Sequence, residues 1–393
     1  MAPSATNRQP PDDTIAGVGP RGVARPRTIG EVAELLKAAA ADQLTVVPVG
    51  GRSKLTWAAP PESCDLLLDL SGLNRLVEHS AGDLTVVAEA GVRLADLQAQ
   101  LGETRQMLAL DPPEACATLG GIVSANASGP RRLRYGTCRD LLIGISVVLA
   151  DGTIAHAGGK VVKNVAGYDL GKLYIGAHGT LGVVVSTTWR LHPVAPARRV
   201  VTLDLDDAAS AGPLVAALRR STLTPAAVEL IGPSDGAARL VVVFESIAES
   251  VAAQANAAVA LLGGGLTSDE LPDDFGCRPG TDDDVLLRLA FVPAALADVL
   301  AALPAGTAVA AHACSGVAYA AVPSAGAGDV LPALRAAIAP YDGSAVLLRA
   351  PAGIRDRLDH WGPVGDSLEL MRRVKERFDP DRRLSPGRFV GGL

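Results

Sequence analysis

Apolar positions after Pro26 recur with helical spacing at Val32, Leu35 and Leu36, and Thr28 followed three residues later by Glu31 makes a capping box. The pattern predicts a helix that ends near Asp42. The stretch LTVVPV at 44–49 is short and β-branched, which predicts a buried strand. Further strands are expected at 66–70 (LLLDL) and 84–90 (LTVVAEA), with a short helix over 93–102 that stops at Gly102. Residues 143–157 read as a hairpin, because Asp151-Gly152 between two apolar runs is a two-residue turn signal. LGVVVSTTWRLHPV at 181–194 gives one more strand, closed by a proline. After Pro196, Ala-rich helical windows such as 249–265 alternate with strands such as RLVVVF at 239–244, so a separate α+β domain is expected. From about 351 the chain turns charged and amphipathic, and RRVKERF at 372–378 suits a solvated helix face or a docking face.

At 393 residues the chain exceeds one ordinary core, and two or three domains are expected. Hydrophobic residues make up 48% but aromatics only 3%, so Ala and Gly supply much of the apolar bulk. The net charge of -6 argues against a general nucleic-acid surface, which would be basic. Backbone N–H groups could still hold an anionic ligand. Cys64, Cys116, Cys138, Cys277 and Cys314 show no CxxC spacing for zinc or an iron–sulfur cluster, and suit reduced thiols in a cytoplasmic protein. The N-terminus is polar and Pro-rich with no apolar signal core, so residues 1–23 are expected to form a disordered lead-in. The longest apolar run, LLIGISVVLA at 141–150, is half the length of a bilayer span. No transmembrane segment is expected, and any membrane contact would be peripheral, through partners.

Three glycine-bearing stretches carry the candidate chemistry. In VVPVGGRSKL, at 46–55, a strand runs into Gly50-Gly51 and then Arg52, Ser53 and Lys54. The spacing is neither a P-loop nor GxGxxG, yet such a turn can present a nest of N–H groups to phosphate oxygens. The plain alternative is a tight turn with a solvated Arg and Lys. In ATLGGIVSANASGPRRLRYGTCRD, at 117–140, Gly120, Gly121, Gly129 and Gly136 alternate with Ser124, Asn126, Ser128 and Thr137, a wall suited to a flat polar ligand. In GYDLGKLYIGAHGTLGVV, at 167–184, Gly176, Gly179 and Gly182 precede a strand, where each could also be a packing glycine.

These motifs, in this order and with a final FDPDRRLSPGR, resemble the flavoproteins of the vanillyl-alcohol oxidase and p-cresol methylhydroxylase type and, within it, the FAD-binding subunit of bacterial glycolate oxidase. The resemblance runs from about residue 24 and is strongest over 44–193 and 372–389. It implies an α+β fold: a two-subdomain FAD-binding domain over 24–195 (subdomains 24–75 and 76–195), an α+β cap over 196–350, and a C-terminal segment, 351–393, that returns to the FAD domain. It also implies FAD as cofactor. The pyrophosphate loop would be Pro48, Val49, Gly50, Gly51, Arg52, Ser53, Lys54 and Leu55. The wall facing the ADP half and the flavin would be Thr118, Leu119, Gly120, Gly121, Ser124, Asn126, Ser128, Gly129, Gly136 and Thr137. Gly179, Thr180, Gly182 and Val183 would border the adenosine or ribityl region, with Arg388 beside the flavin. No histidine occurs between residues 46 and 60, and Cys116 reads as an ordinary buried thiol, so FAD is expected to be dissociable.

Dehydrogenases of 2-hydroxy acids that resemble this chain carry HxGDGNxH in the cap, a pattern suited to a divalent metal. Here the corresponding stretch is HACSGVAY at 312–319, in which His312 and Gly316 remain while Ser315, Val317 and Tyr319 stand in place of Asp, Asn and His. Such a set cannot make a tight divalent site, so no metal is expected. His312 is a candidate base or a structural histidine, and Arg288 a candidate carboxylate partner or an ordinary strand Arg. Lys163 and Tyr168 are candidates for flavin or ligand contact, against a snorkelling Lys and a packing Tyr. The resemblance implies a subunit of a glycolate-oxidising complex, with a sister flavoprotein subunit and an iron–sulfur subunit as partners. A self-sufficient FAD-dependent dehydrogenase of a small hydroxy acid or alcohol, and a non-catalytic scaffold, are the alternatives.

Overall fold

The computed structural model describes residues 13–160 and 168–393, and the chain divides into two compact units. One comprises the described parts of Ser4–Ser128 and Gly136–Val194 together with Pro363–Leu393; the other comprises Gly129–Tyr135 and Ala195–Gly362.

In the first unit, Thr28 caps the helix Ile29–Ala41, its Oγ1 accepting the Glu31 N–H at 3.1 Å, and Glu31 reaches back to the Arg27 N–H at 2.7 Å. Val32, Leu36 and Ala39 form the buried stripe of that helix. A three-stranded parallel sheet has the order Gly22–Ala24, Leu66–Asp69, Val46–Val49. A five-stranded antiparallel sheet has the order Leu76–Ser80, Thr85–Glu89, Val183–Arg190, Leu142–Val148, Ile154–Gly158. The expected turn at 151–152 joins its last two strands, with Gly152 at φ 86°.

The first unit differs from expectation at both ends. Residues 1–12 lie outside the described part, but 13–23 do not form a disordered lead-in. Ile15 is fully buried against Val47, Val49, Leu55 and Leu67, and Gly22–Ala24 pairs in parallel with Leu66–Leu68. Near the C-terminus, residues 372–378 are not simply a solvated or docking face. Arg372, Arg373 and Arg377 are exposed, but Lys375 is buried. Its Nζ donates to Thr180 O at 2.7 Å, Asp379 Oδ2 at 2.7 Å and Leu384 O at 3.0 Å, which uses all three ammonium protons. Asp379 also accepts the Arg383 and Leu384 N–H groups. Beyond this hub the chain bonds Val46 as an added parallel edge: Val46 N–H donates to Arg383 O at 2.8 Å and Ser385 N–H to Val46 O at 2.9 Å. Leu384 thereby joins the core of Leu36, Val46, Val148, Val183 and Val185.

The second unit is an eight-stranded antiparallel sheet in the order Leu266–Ser268, Ala197–Leu205, Ala238–Ser246, Ala227–Pro233, Ala308–His312, Val317–Pro323, Asp284–Ala290, Ser344–Arg349. Helices Ala211–Arg220, Ala248–Leu262, Leu296–Ala301 and Ala327–Ile338 contribute to one core with alternate strand residues such as Val228, Leu230, Leu240, Val242, Leu287 and Leu289. The opposite strand residues form a smaller cluster, Val200, Ala227, Val241 and Val243, covered by Leu271 and Phe275.

Two boundaries of this unit also differ from expectation. It runs to Gly362 rather than 350, because Leu347 N–H donates to His360 O and Arg335 bonds Asp359. Gly129–Tyr135, expected in the FAD domain, is held by Glu245, whose carboxylate accepts Arg131 Nη2 at 2.6 Å and the Tyr135 hydroxyl at 3.1 Å. Arg134 adds a bond to the Glu245 carbonyl oxygen at 2.5 Å.

Candidate functional site

The three glycine stretches meet in one cleft of the first unit, with an empty volume of about 800 Å³ including its open mouth. It is lined by 47–55, by Thr118, Gly120, Gly121, Ser124 and Ala125, by His178, Gly179, Gly182 and Val184, and by Ile15, Leu70, Ala90 and Arg388.

Close backbone packing explains the first glycines. A Cβ on Gly51 would lie 1.6 Å from the Cys116 carbonyl oxygen, and one on Gly50 would lie 2.2 Å from Thr118 Oγ1. Thr118 caps the helix Leu119–Ala125 and accepts N–H bonds from both Gly51 and Gly121 at 3.4 Å, which ties the loop to the second stretch. Gly120 packs on Ala90 less tightly, where a Cβ would lie 2.8 Å from the Ala90 Cβ, and its N–H donates to Ala90 O at 2.8 Å. Gly179, at φ 77°, fits between Pro48 and Ser385.

The charges beside the loop are already engaged. Arg52 Nη2 contacts Asp13 at 2.6 Å and Asp69 at 3.2 Å, and Lys54 Nζ contacts Glu114 at 2.9 Å. An anion in this cleft would therefore be held chiefly by backbone amides, with the side chains fixing the loop. Arg52 has φ 56°, a left-handed residue of the kind that turns neighbouring N–H groups into an anion nest. Arg388 Nη2 donates to Trp57 O at 2.7 Å. His178, also left-handed at φ 52°, donates its N–H to Ser124 O at 2.9 Å. Burial and the nearby Arg388 push its imidazole down to about 3, so it is neutral at physiological pH.

Several residues expected on the wall lie elsewhere. Leu119 and Val183 are core residues, and the Thr180 carbonyl is bound by Lys375. Asn126 is the left-handed cap of Leu119–Ala125, and Ser128 is buried away from the cleft lining. Gly129 belongs to the other unit. Gly136, at φ 83°, packs on Asp140, and Thr137 and Asp140 form a capping box on Cys138–Leu141. Small polar residues serve caps as readily as ligands, which is why the sequence pattern ran ahead of the cleft. Conversely, Ile15 and His178 were missed. His178 stood in GAHGTLG among the glycines, whereas Ile15 carried no local signal.

The cap-type candidates form a separate group on the sheet of the second unit. Cross-strand register places Glu229 opposite His312 and Val241, His312 opposite Val317, and Arg288 opposite Tyr319, all on the face away from the main helical core. His312 Nδ1 is 3.5 Å from Glu229 Oε1, and both side chains are buried. Glu229 Oε2 accepts the Gly276 N–H at 2.7 Å, and burial pushes its carboxyl up to about 8. Arg278 stacks on the Tyr319 ring with its guanidinium carbon 3.6 Å from the centroid, and Tyr319 meets His312 edge-on. Tyr168, by contrast, is 93% exposed, and Lys163 lies outside the described residues.

Residues 20–158 match the family model described as FAD binding domain, and residues 359–389 match FAD linked oxidases, C-terminal domain. The chain is 37% identical over 174 residues to an uncharacterized FAD-linked oxidoreductase of Mycobacterium tuberculosis (44% of this chain, 38% of that protein). It is 30% identical over 213 residues to the glycolate oxidase subunit GlcD of Bacillus subtilis (54% and 45%). It is 32% identical over 260 residues to a D-lactate dehydrogenase of Archaeoglobus fulgidus (61% and 58%). The chain thus spans less than half the length of the first two relatives. In structure it resembles p-cresol methylhydroxylase with substrate bound, at TM-score 0.74 and 17% identity over 93% of this chain and 88% of that one.

The fold is the α+β FAD-binding fold of the p-cresol methylhydroxylase type. FAD is the cofactor of this architecture, and the cleft fits it: glycines that let the loop and its neighbours pack backbone to backbone, and a left-handed loop residue, suit a pyrophosphate held by backbone. Among the described residues, no helix is long and apolar enough to cross a membrane.

Proposed function

We propose that the chain is an FAD-dependent oxidoreductase that oxidises a small 2-hydroxy acid. The observation that carries the reading is the single glycine-walled cleft built from the three sequence stretches. The substrate class is supported by the relatives named D-lactate dehydrogenase, D-2-hydroxyglutarate dehydrogenase and glycolate oxidase subunit.

Bound FAD supplies the ring that accepts the substrate's hydride equivalent. The chain's residues do the rest. Loop amides among 50–53 other than Gly51, whose N–H donates to Thr118, would hold the pyrophosphate, and Arg388 and neutral His178 line the same cleft. On the sheet of the second unit, taken by itself, Arg278, Arg288 and the buried Glu229–His312 pair have the chemistry of carboxylate binding and proton exchange.

A second reading is favoured by the altered signature at 312–319: a subunit that handles electrons between a sister flavoprotein and an iron–sulfur subunit of a glycolate-oxidising complex. Purified FAD-loaded chain, mixed anaerobically with glycolate, D-lactate and D-2-hydroxyglutarate, separates the two. Bleaching of the flavin absorbance by one of these acids is expected. A flavin that stays oxidised with all three overturns self-sufficient oxidation and leaves the subunit reading.

A further inference from the structure

The match to the FAD binding domain begins at residue 20, yet Ile15 lines the cofactor cleft beside Val47, Val49 and Leu55. Ile15 is 0% exposed. It is held there by a tight reversal: Ile15 and Val18 exchange backbone hydrogen bonds at 2.9 and 3.0 Å across Ala16 and Gly17, at φ 50° and 90°. Two consecutive positive φ values are the signature of a two-residue reversal that folds a segment back on itself.

Just before this turn, Asp13 meets the pyrophosphate loop. Its Oδ1 accepts Arg52 Nη2 at 2.6 Å, while Asp69 accepts the same nitrogen at 3.2 Å and Arg25 Nε at 3.2 Å. Two arginines and two aspartates therefore balance, and the cluster offers an anion little net attraction. What it offers is geometry. Arg52 adopts φ 56°, and a side chain gripped by two carboxylates holds that backbone in place before any ligand arrives.

We infer that residues 13–18 are a strap belonging to the FAD site, in which Ile15 packs behind the strand and loop that line the cleft and Asp13 presets the loop amides through Arg52. The inference rests on the FAD reading of the cleft. A geometric role and an electrostatic one predict opposite signs: removing the Asp13 charge leaves the loop more positive, which by charge alone would tighten an anionic dinucleotide.

The experiment measures FAD binding to apo-protein by flavin fluorescence for wild type, Asp13→Asn and Ile15→Ala, with backbone amide exchange followed with and without saturating FAD. Each variant is expected to raise the FAD Kd by roughly tenfold, and FAD is expected to slow exchange at Ile15 and Val18. Asp13→Asn introduces no cavity, so it carries the test if Ile15→Ala folds poorly. An unchanged or lower Kd for Asp13→Asn, with exchange at 15 and 18 indifferent to FAD, overturns the strap alone. Wild-type protein that fails to bind FAD overturns the cofactor reading and the strap with it.

Discussion

Gly51 makes the most restrictive demand of any residue in the cleft, because its missing side chain leaves room for the Cys116 carbonyl. Even Ala there forces the loop off Thr118, so Gly51→Ala is expected to weaken FAD binding at least about 100-fold. Gly82→Ala, with no neighbouring atom within 4 Å, should bind normally; fluorescence titration beside circular dichroism of the apo forms checks both. Glu229 makes a different demand, on pH. Its carboxyl is raised to about 8 when folded, against 4.5 ordinarily, so between these values the unfolded chain has lost a proton that the folded chain keeps. The contribution is complete below pH 4.5 and is lost as pH rises through 8. Denaturant titrations should therefore show stability falling over that interval, with Glu229→Gln flattening the decline. His178 acts with the opposite slope: it is neutral when folded, and its contribution is lost as pH falls below 6.5 toward about 3.

Among the elements, the helix Ser367–Phe378 is tied to the cleft through one buried ammonium. Lys375 links the Thr180 turn, its own helix end and Leu384, and Leu384 lies beside the strand that carries the Gly50-Gly51 loop. Burying an ion pair is no bargain in itself, but breaking one strands the surviving charge at a cost of about 3–5 kcal/mol. Lys375→Met is thus expected to lower the unfolding temperature by roughly 10 °C, and adding Asp379→Leu should recover part of it; calorimetry on the three proteins decides. This hub shows where local reading stops. Thr28, the strands at 46–49 and 238–246 and the turn at 151–152 declare themselves through spacing and turn chemistry within a few residues. Lys375 sits in a basic amphipathic run, and only a partner 195 positions away turns it inward.

For the whole molecule, the meeting of the three stretches in one cleft was legible because glycines at 50–51, 120–121, 179 and 182 report close backbone approach wherever they occur. Asn126 and Thr137 cap helices and Gly136 packs on Asp140, none of them lining the cleft, since caps and ligand walls draw on the same small polar residues. Ile15 and the Glu229–His312 pair were out of reach, their environment being set by strands remote in sequence. The detour of Gly129–Tyr135 has a practical consequence for anyone who would cut or recombine this protein. Because the described chain crosses between its two units four times, neither unit is a contiguous piece of the sequence. A gene fragment spanning 195–362 would leave Glu245 without Arg131, Arg134 and Tyr135, so exchanging the eight-stranded sheet with that of a relative means transplanting two inserts together.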